Sequence, residues 1–145
     1  MPGTDDDDLA QHLLRRSGLR VTRPRVNVLA ALLEAGGHQD AAAVIRQLRG
    51  AGRKVSVQAT YNVLDALSRH RVIRRIEPPG HPALFEARVG DNHHHLICRV
   101  CGSVTDQDCA ADTVPCVEPS NDLGYRVDEA EITWFGRCPG CAREA

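Results

Sequence analysis

The sequence predicts an α+β chain, with an N-terminal winged helix-turn-helix domain and a small C-terminal α/β domain built on a structural zinc ion. Three observations carry this. Helix-type apolar spacing fills residues 9–69 and gives way to two short β-type runs. The balance of charge changes sign near residues 88–92. Two CxxC pairs, Cys98/Cys101 and Cys138/Cys141, lie beyond that change.

The elements follow in order. Residues 1–8, with four Asp, read as a disordered acidic tail, and Asp8 can cap the helix behind it. Leu9, Leu13 and Leu14 have helical spacing, and Gly18 stands where that helix stops. A second helix starts at Thr22, tolerates Pro24 in its first turn, buries Val26, Leu29 and Leu33, and ends at Gly36-Gly37. Asp40 caps a third helix that reaches Leu48 and stops at Gly50. Ser56 caps a fourth that runs to about Arg69, with Thr60, Val63, Leu64 and Leu67 as its buried stripe. Two β-like runs, Val72–Ile76 and Ala83–Ala87, flank a Pro78-Pro79-Gly80 turn. Helices followed by a hairpin give the order of a winged helix, which places the helix before the hairpin in a major groove. Further on, strands are expected near 95–98, 103–107 and 125–135. Pro115 and Pro119 allow only a short or broken helix over 109–123.

Charge supports the division. Residues 9–81 carry 13 Arg/Lys against 4 Asp/Glu, and residues 82–145 carry 5 Arg against 11 Asp/Glu. A basic first part suits nucleic acid, although an ordinary solvated surface is the plainer alternative. The expected domains are 9–88, a winged helix, and 92–145, a metal-binding domain. No apolar run approaches the ~20 residues that span a bilayer, and no secretory signal is visible, so a cytoplasmic protein is expected. In that compartment six cysteines point to metal ligation or redox sensing rather than static disulfides.

Cys98-Arg-Val-Cys101 and Cys138-Pro-Gly-Cys141 each let one turn present two sulfurs to one ion, and two such turns complete a tetrahedral thiolate site. Gly102 and Gly140 are expected to give the turns their backbone freedom. With all four positions taken by protein, the zinc is structural. The alternative, a CxxC thiol redox protein, lacks a βαβ context around either pair. Cys109 and Cys116 read as buried small hydrophobes, with an auxiliary redox pair as the other reading.

Asp91-Asn92-His93-His94-His95 is the densest group of ligand-type residues. On a strand, His93 and His95 share a face and His94 points away. Glu86 and Asp106 lie on neighbouring expected strands, and His38 sits in the loop before Asp40. Such donors suit Fe(II), Mn(II) or Zn(II) at an open, exchangeable site, while a solvated polar loop explains adjacent histidines equally well.

Several segments together resemble the ferric uptake regulator family, within it the peroxide-sensing branch, across about residues 9–141. They are Gly18-Leu-Arg-Val-Thr-Arg-Pro-Arg25, Gly37-His38, Ser56-Val-Gln-Ala-Thr-Tyr61-Asn62-Val-Leu64, His93-His-His95-Leu-Ile-Cys98-Arg-Val-Cys101-Gly102 and Gly136-Arg-Cys138-Pro-Gly-Cys141. The resemblance implies a homodimer in which the C-terminal α/β lobe is the dimerisation domain and the winged helices bind double-stranded DNA at a palindromic operator. It implies a regulatory Fe(II) or Mn(II) held by His38, Glu86, His93, His95 and Asp106. In the peroxide-sensing branch it also implies oxidation of a ligand histidine (His38, His93 or His95) by peroxide at Fe(II), with release of catalase- or peroxidase-type genes. This consumes a sensor, so no enzyme is expected. Asp106 and Asn62 match that branch; Glu86 stands where its members carry Asp. Asp128, Glu129 and Ala130 stand where many relatives place a further histidine, which argues against a third metal site of their kind. Tyr61 is the first candidate for DNA contact, followed by Arg25, Gln58 and Asn62. The competing readings are a repressor that senses iron or zinc availability, the thiol redox protein, and a zinc-stapled interaction module without DNA contact.

Overall fold

In the computed structural model, which describes residues 4–87, 93–109 and 115–144, helix α1 spans Thr4–Arg16. It begins just before the acidic run, so Asp5–Asp8 are helical and the expected disordered tail does not extend over them. The reason is electrostatic. Asp5, Asp6 and Asp7 occupy the first turn and Arg15 and Arg16 the last, each complementing the helix dipole. Asp7 also receives Arg53 at 2.8 Å, and the same guanidinium donates to Asn27 Oδ1 at 3.1 Å.

Helix α2 (Arg23–Ala35) carries Pro24 in its first turn and buries the continuous run Val26–Leu32. Gly36 ends it at φ +62°, a conformation that favours glycine. Asp40 caps α3 (Ala41–Gly50) by accepting from the Ala43 N–H at 2.7 Å. Ser56 caps α4 (Val57–Arg69) by accepting from the Ala59 N–H at 3.1 Å. Thr60, Val63, Leu64 and Leu67 are the buried stripe of α4, as its spacing predicts. Val63, Leu64 and Leu67 join Leu14, Leu29, Leu32 and Leu48 in one core. Each fully buried leucine contributes roughly 1.5–3 kcal/mol of transfer free energy.

A three-stranded sheet, β1 (Gln39–Asp40), β2 (Arg74–Ile76) and β3 (Leu84–Glu86), is ordered β1-β3-β2 and antiparallel throughout. The two-residue β1 was not expected. A second sheet holds β4 (His93–Cys98), β5 (Val104–Asp108) and β6 (Thr133–Gly136), ordered β5-β4-β6, with β5 antiparallel and β6 parallel to β4. The strand expected over 125–135 is reduced to β6, whose pairing with β4 begins only at Thr133. Over 109–123 no helix occurs among the described residues. A short helix not foreseen, α5 (Pro139–Arg143), follows β6.

The chain divides into two compact units, Met1–Glu77 with Pro82–Val89, and Pro78–His81 with Gly90–Ala145. The boundary expected at 88–92, and with it Asp91 and Asn92, lies outside the described residues. The first unit owns the apolar core. Burial in the second centres on β4, where Ile97 and Cys98 are covered together with three histidines. So thin a core needs another source of stability. No helix is long and apolar enough to cross a membrane among the described residues.

Candidate metal centres and DNA-binding surface

The parallel pairing of β4 with β6 sets Cys98 beside Gly136. Both strands therefore deliver their following turns to the same end of the sheet. After β4 the chain folds back on itself, with the Gly102 N–H donating to the Cys98 carbonyl at 2.9 Å. Gly102 takes φ +74°, the left-handed region. After β6, Cys138 is the N-cap of α5 and Pro139 lies in its first turn. Gly140, expected to serve as Gly102 does, is simply helical.

Cys98, Cys101, Cys138 and Cys141 thus present four sulfurs, all within 4.8 Å of one another. Cys101 Sγ and Cys138 Sγ are 3.8 Å apart. Zinc–sulfur bonds of ~2.3 Å in a tetrahedron give edges of about 3.8 Å. The thiols are electrostatically unequal. Backbone N–H groups of Cys101 and Cys138 lower Cys98 to about 6, and the Ser103 hydroxyl leads the lowering of Cys101. The neighbouring Cys138 sulfur raises Cys141 to about 12. Four sulfurs this close cannot all ionise without a shared cation, and a closed four-thiolate set suits a structural Zn(II).

A second donor group lies on the other side of the same strand. The β4–β5 register places His95 directly opposite Asp106, and His95 Nε2 is 3.3 Å from Asp106 Oδ1. His93, two residues back on the same face, is 3.8 Å from that oxygen. The two imidazoles meet edge to face at 5.0 Å and are buried. A solvated polar loop is therefore ruled out for His93 and His95.

The first unit contributes its own pair. Gln39 pairs with Phe85, so the next step of this register sets His38 against Glu86. His38 Nε2 and Glu86 Oε2 are 2.8 Å apart, with Glu86 almost wholly buried. Register thus assembles a His/carboxylate pair in one unit and a His/His/carboxylate set in the other. Both are open, nitrogen–oxygen donor sets of the kind that take Fe(II), Mn(II) or Zn(II).

The structure brings together a third group that the sequence pattern does not show. His94, read as merely pointing away, is buried, with its Nε2 3.2 Å from Cys116 Sγ. Cys109 and Cys116 are disulfide-bonded and only partly buried, which corrects their reading as buried small hydrophobes. The two sulfurs are joined at a sequence separation of 7, a pairing that composition does not report. A Cys-x6-Cys spacing beside prolines was the available signal.

On α4, Val57, Gln58, Tyr61, Asn62 and Asp65 face solvent, with Tyr61 51% exposed. The Gln58 amide donates to Asn62 Oδ1 at 3.0 Å. Arg25, at the start of α2, donates to the Arg20 carbonyl at 2.7 Å.

This two-unit architecture is matched by known proteins. The model of the ferric uptake regulator family matches residues 16–132. The chain belongs to the ferric uptake regulator family. It is a metal-dependent transcriptional regulator. The chain is 47% identical to the transcriptional regulator FurA of Mycobacterium tuberculosis over 129 residues, covering 89% of this chain and 87% of that protein. It is 45% identical to ferric uptake regulation protein 2 of Mycolicibacterium fortuitum, covering 91% and 92%. Its fold matches the ferric uptake regulator of Pseudomonas aeruginosa, solved with manganese, with TM-score 0.71 and 25% identity over 90% of this chain and 98% of that one. The Helicobacter pylori regulator matches in fold at TM-score 0.68 and 17% identity, covering 97% and 95%.

Proposed function

We propose that this family member is a homodimeric, cytoplasmic repressor that binds a palindromic operator while a regulatory Fe(II) or Mn(II) is held by His38, Glu86, His93, His95 and Asp106, and that it responds to peroxide. The observation that carries this reading is Asp106 set against two buried imidazoles on the face of β4 away from the four thiolates. In this reading the presentation of α4 follows metal occupancy, and a dimer binds only when its two recognition helices match successive major grooves. Exposed Leu96, Trp134 and Phe135 on the second sheet support a dimer contact there.

Bound Fe(II) supplies the reducing equivalents that make peroxide an oxidant toward an adjacent imidazole. The chain's part is to present imidazoles: β4 aims His93 and His95 the same way, and β1 sets His38 on Glu86. Loss of one imidazole donor removes a ligand and frees the operator of catalase- or peroxidase-type genes. On α4, the exposure of Tyr61, Gln58 and Asn62 supports them as the groove contacts, with Arg25 as a phosphate anchor; phosphate contacts position without specifying sequence.

One residue favours a second reading, a sensor of iron availability. Glu86 is longer by a methylene than the Asp found in peroxide sensors. Peptide mass spectrometry of the Fe(II)-loaded chain separates the two. Peroxide sensing predicts one added oxygen on the peptide with His93 and His95, or with His38, together with loss of operator binding. Unchanged mass with operator affinity retained after peroxide, and lost on chelation, overturns it in favour of availability sensing.

A further inference from the structure

The His94, Cys109 and Cys116 donor atoms lie within 4.8 Å of one another, which at first sight suggests a third metal site. The imidazole tells otherwise. The backbone N–H of Ile132, which can only donate, points at His94 Nδ1 from 3.2 Å. Nδ1 is therefore the acceptor, and the neutral ring carries its proton on Nε2. That N–H faces Cys116 Sγ at 3.2 Å. A nitrogen bearing a proton is a donor to sulfur and not a metal ligand. The ring is fixed further by Trp134, edge to face at 5.8 Å.

We infer that Cys109 and Cys116 form a reversible dithiol–disulfide site in which His94 positions and stabilises the thiolate of Cys116. In reduction by a dithiol, the attacking thiolate bonds to Cys109 Sγ. The S–S bond breaks, and its electron pair leaves on Cys116 Sγ, where the His94 N–H receives it. The reductant's second thiol then displaces Cys109, leaving two thiols in the protein and one disulfide in the reductant. In oxidation by a hydroperoxide, the Cys116 thiolate takes an oxygen and becomes a sulfenic acid, and the alcohol or water departs. Cys109 then displaces water to close the bridge, so two thiols and one peroxide give one disulfide with atoms balanced. Both cysteines are partly exposed, so small reagents can reach them. The site uses none of the residues assigned to either metal set, and it stands whether or not the regulator senses peroxide through iron.

The test uses the full zinc-loaded chain. After dithiol treatment and differential alkylation, peptide mapping should show the Cys109–Cys116 bridge opened while the four zinc-site cysteines stay protected. Alkylation should reach Cys116 before Cys109. His94→Phe, which fills the space without a donor, should lower the Cys116:Cys109 labelling ratio about tenfold. His94→Gln, which keeps an N–H donor, should restore most of it. Using the ratio makes general loosening of the fold visible as a change in both cysteines. Zinc loss before the bridge opens, failure of hydroperoxide to close the reduced pair, or equal ratios in wild type, His94→Phe and His94→Gln would each overturn the inference.

Discussion

The backbone N–H of Cys138 donates to Cys98 Sγ across 3.3 Å. This contact joins the two knuckles and is one reason why Cys98 sits near 6. A thiol whose folded value lies below its ordinary one favours the folded state at high pH, and that advantage fades as pH falls through about 6. Cys141, raised to about 12, must give up a proton when the site fills. Zinc affinity is therefore expected to climb with pH across the neutral range and to collapse below about 6. Competition with a chromogenic chelator at a series of pH values measures this; a flat profile contradicts it.

Removing zinc should unfold the second unit while sparing the first. The first unit has its own core in Leu14, Leu29, Leu32, Leu48, Leu64 and Leu67, whereas burial in the second is concentrated on one strand. Hydrogen exchange after chelation should show loss of protection in β4, β5 and β6 with α2 and α4 unchanged.

Asp106→Ala should weaken Mn(II) binding by at least about tenfold, since it takes away the carboxylate facing both imidazoles. Titration calorimetry on the zinc-loaded chain reads it directly. Zinc content should not change, because the thiolates lie apart from that face.

Two substitutions on α4 should separate reading from folding. Leu64→Ala removes a buried side chain and should cost about 2–5 kcal/mol in urea unfolding of the first unit. Tyr61→Ala, on the exposed face, should leave stability within about 0.5 kcal/mol and still abolish tight operator binding in a gel shift.

Arg53→Ala should destabilise the first unit by about 1–3 kcal/mol, because one guanidinium serves both Asp7 on α1 and the buried Asn27 on α2. Thermal unfolding of wild type and variant at matched metal loading checks it.

The parts of this fold legible in the sequence are those governed by local chemistry. Asp40 and Ser56 announced their helices because a capping side chain acts within three residues. The thiolate set was legible because its ligand spacing is itself local. Long-range effects were not. The acidic run reads as disordered by composition alone, and its pairing with Arg53, far along the chain, is part of what holds it in a helix. Strand β1 is two residues long and exists through its pairing with Phe85 and Leu84. Helix α5 does carry a local signal: Cys138 before Pro139 is an N-cap followed by a proline in the first turn. For His94 the alternation of a strand shows the face it leaves, while the partners it meets, Ile132 and Cys116, come from far along the chain.

Strand β4 carries two sets of chemistry in alternation. Odd positions, His93 and His95, meet Asp106, and the even His94 meets Ile132 and Cys116. Inserting or deleting one residue here would exchange every side chain between faces. Each histidine would then arrive among the partners meant for its neighbour. Point substitution can tune either chemistry alone, but a change in length spoils both at once, so the segment from His93 to Cys98 has a fixed count as well as a fixed composition.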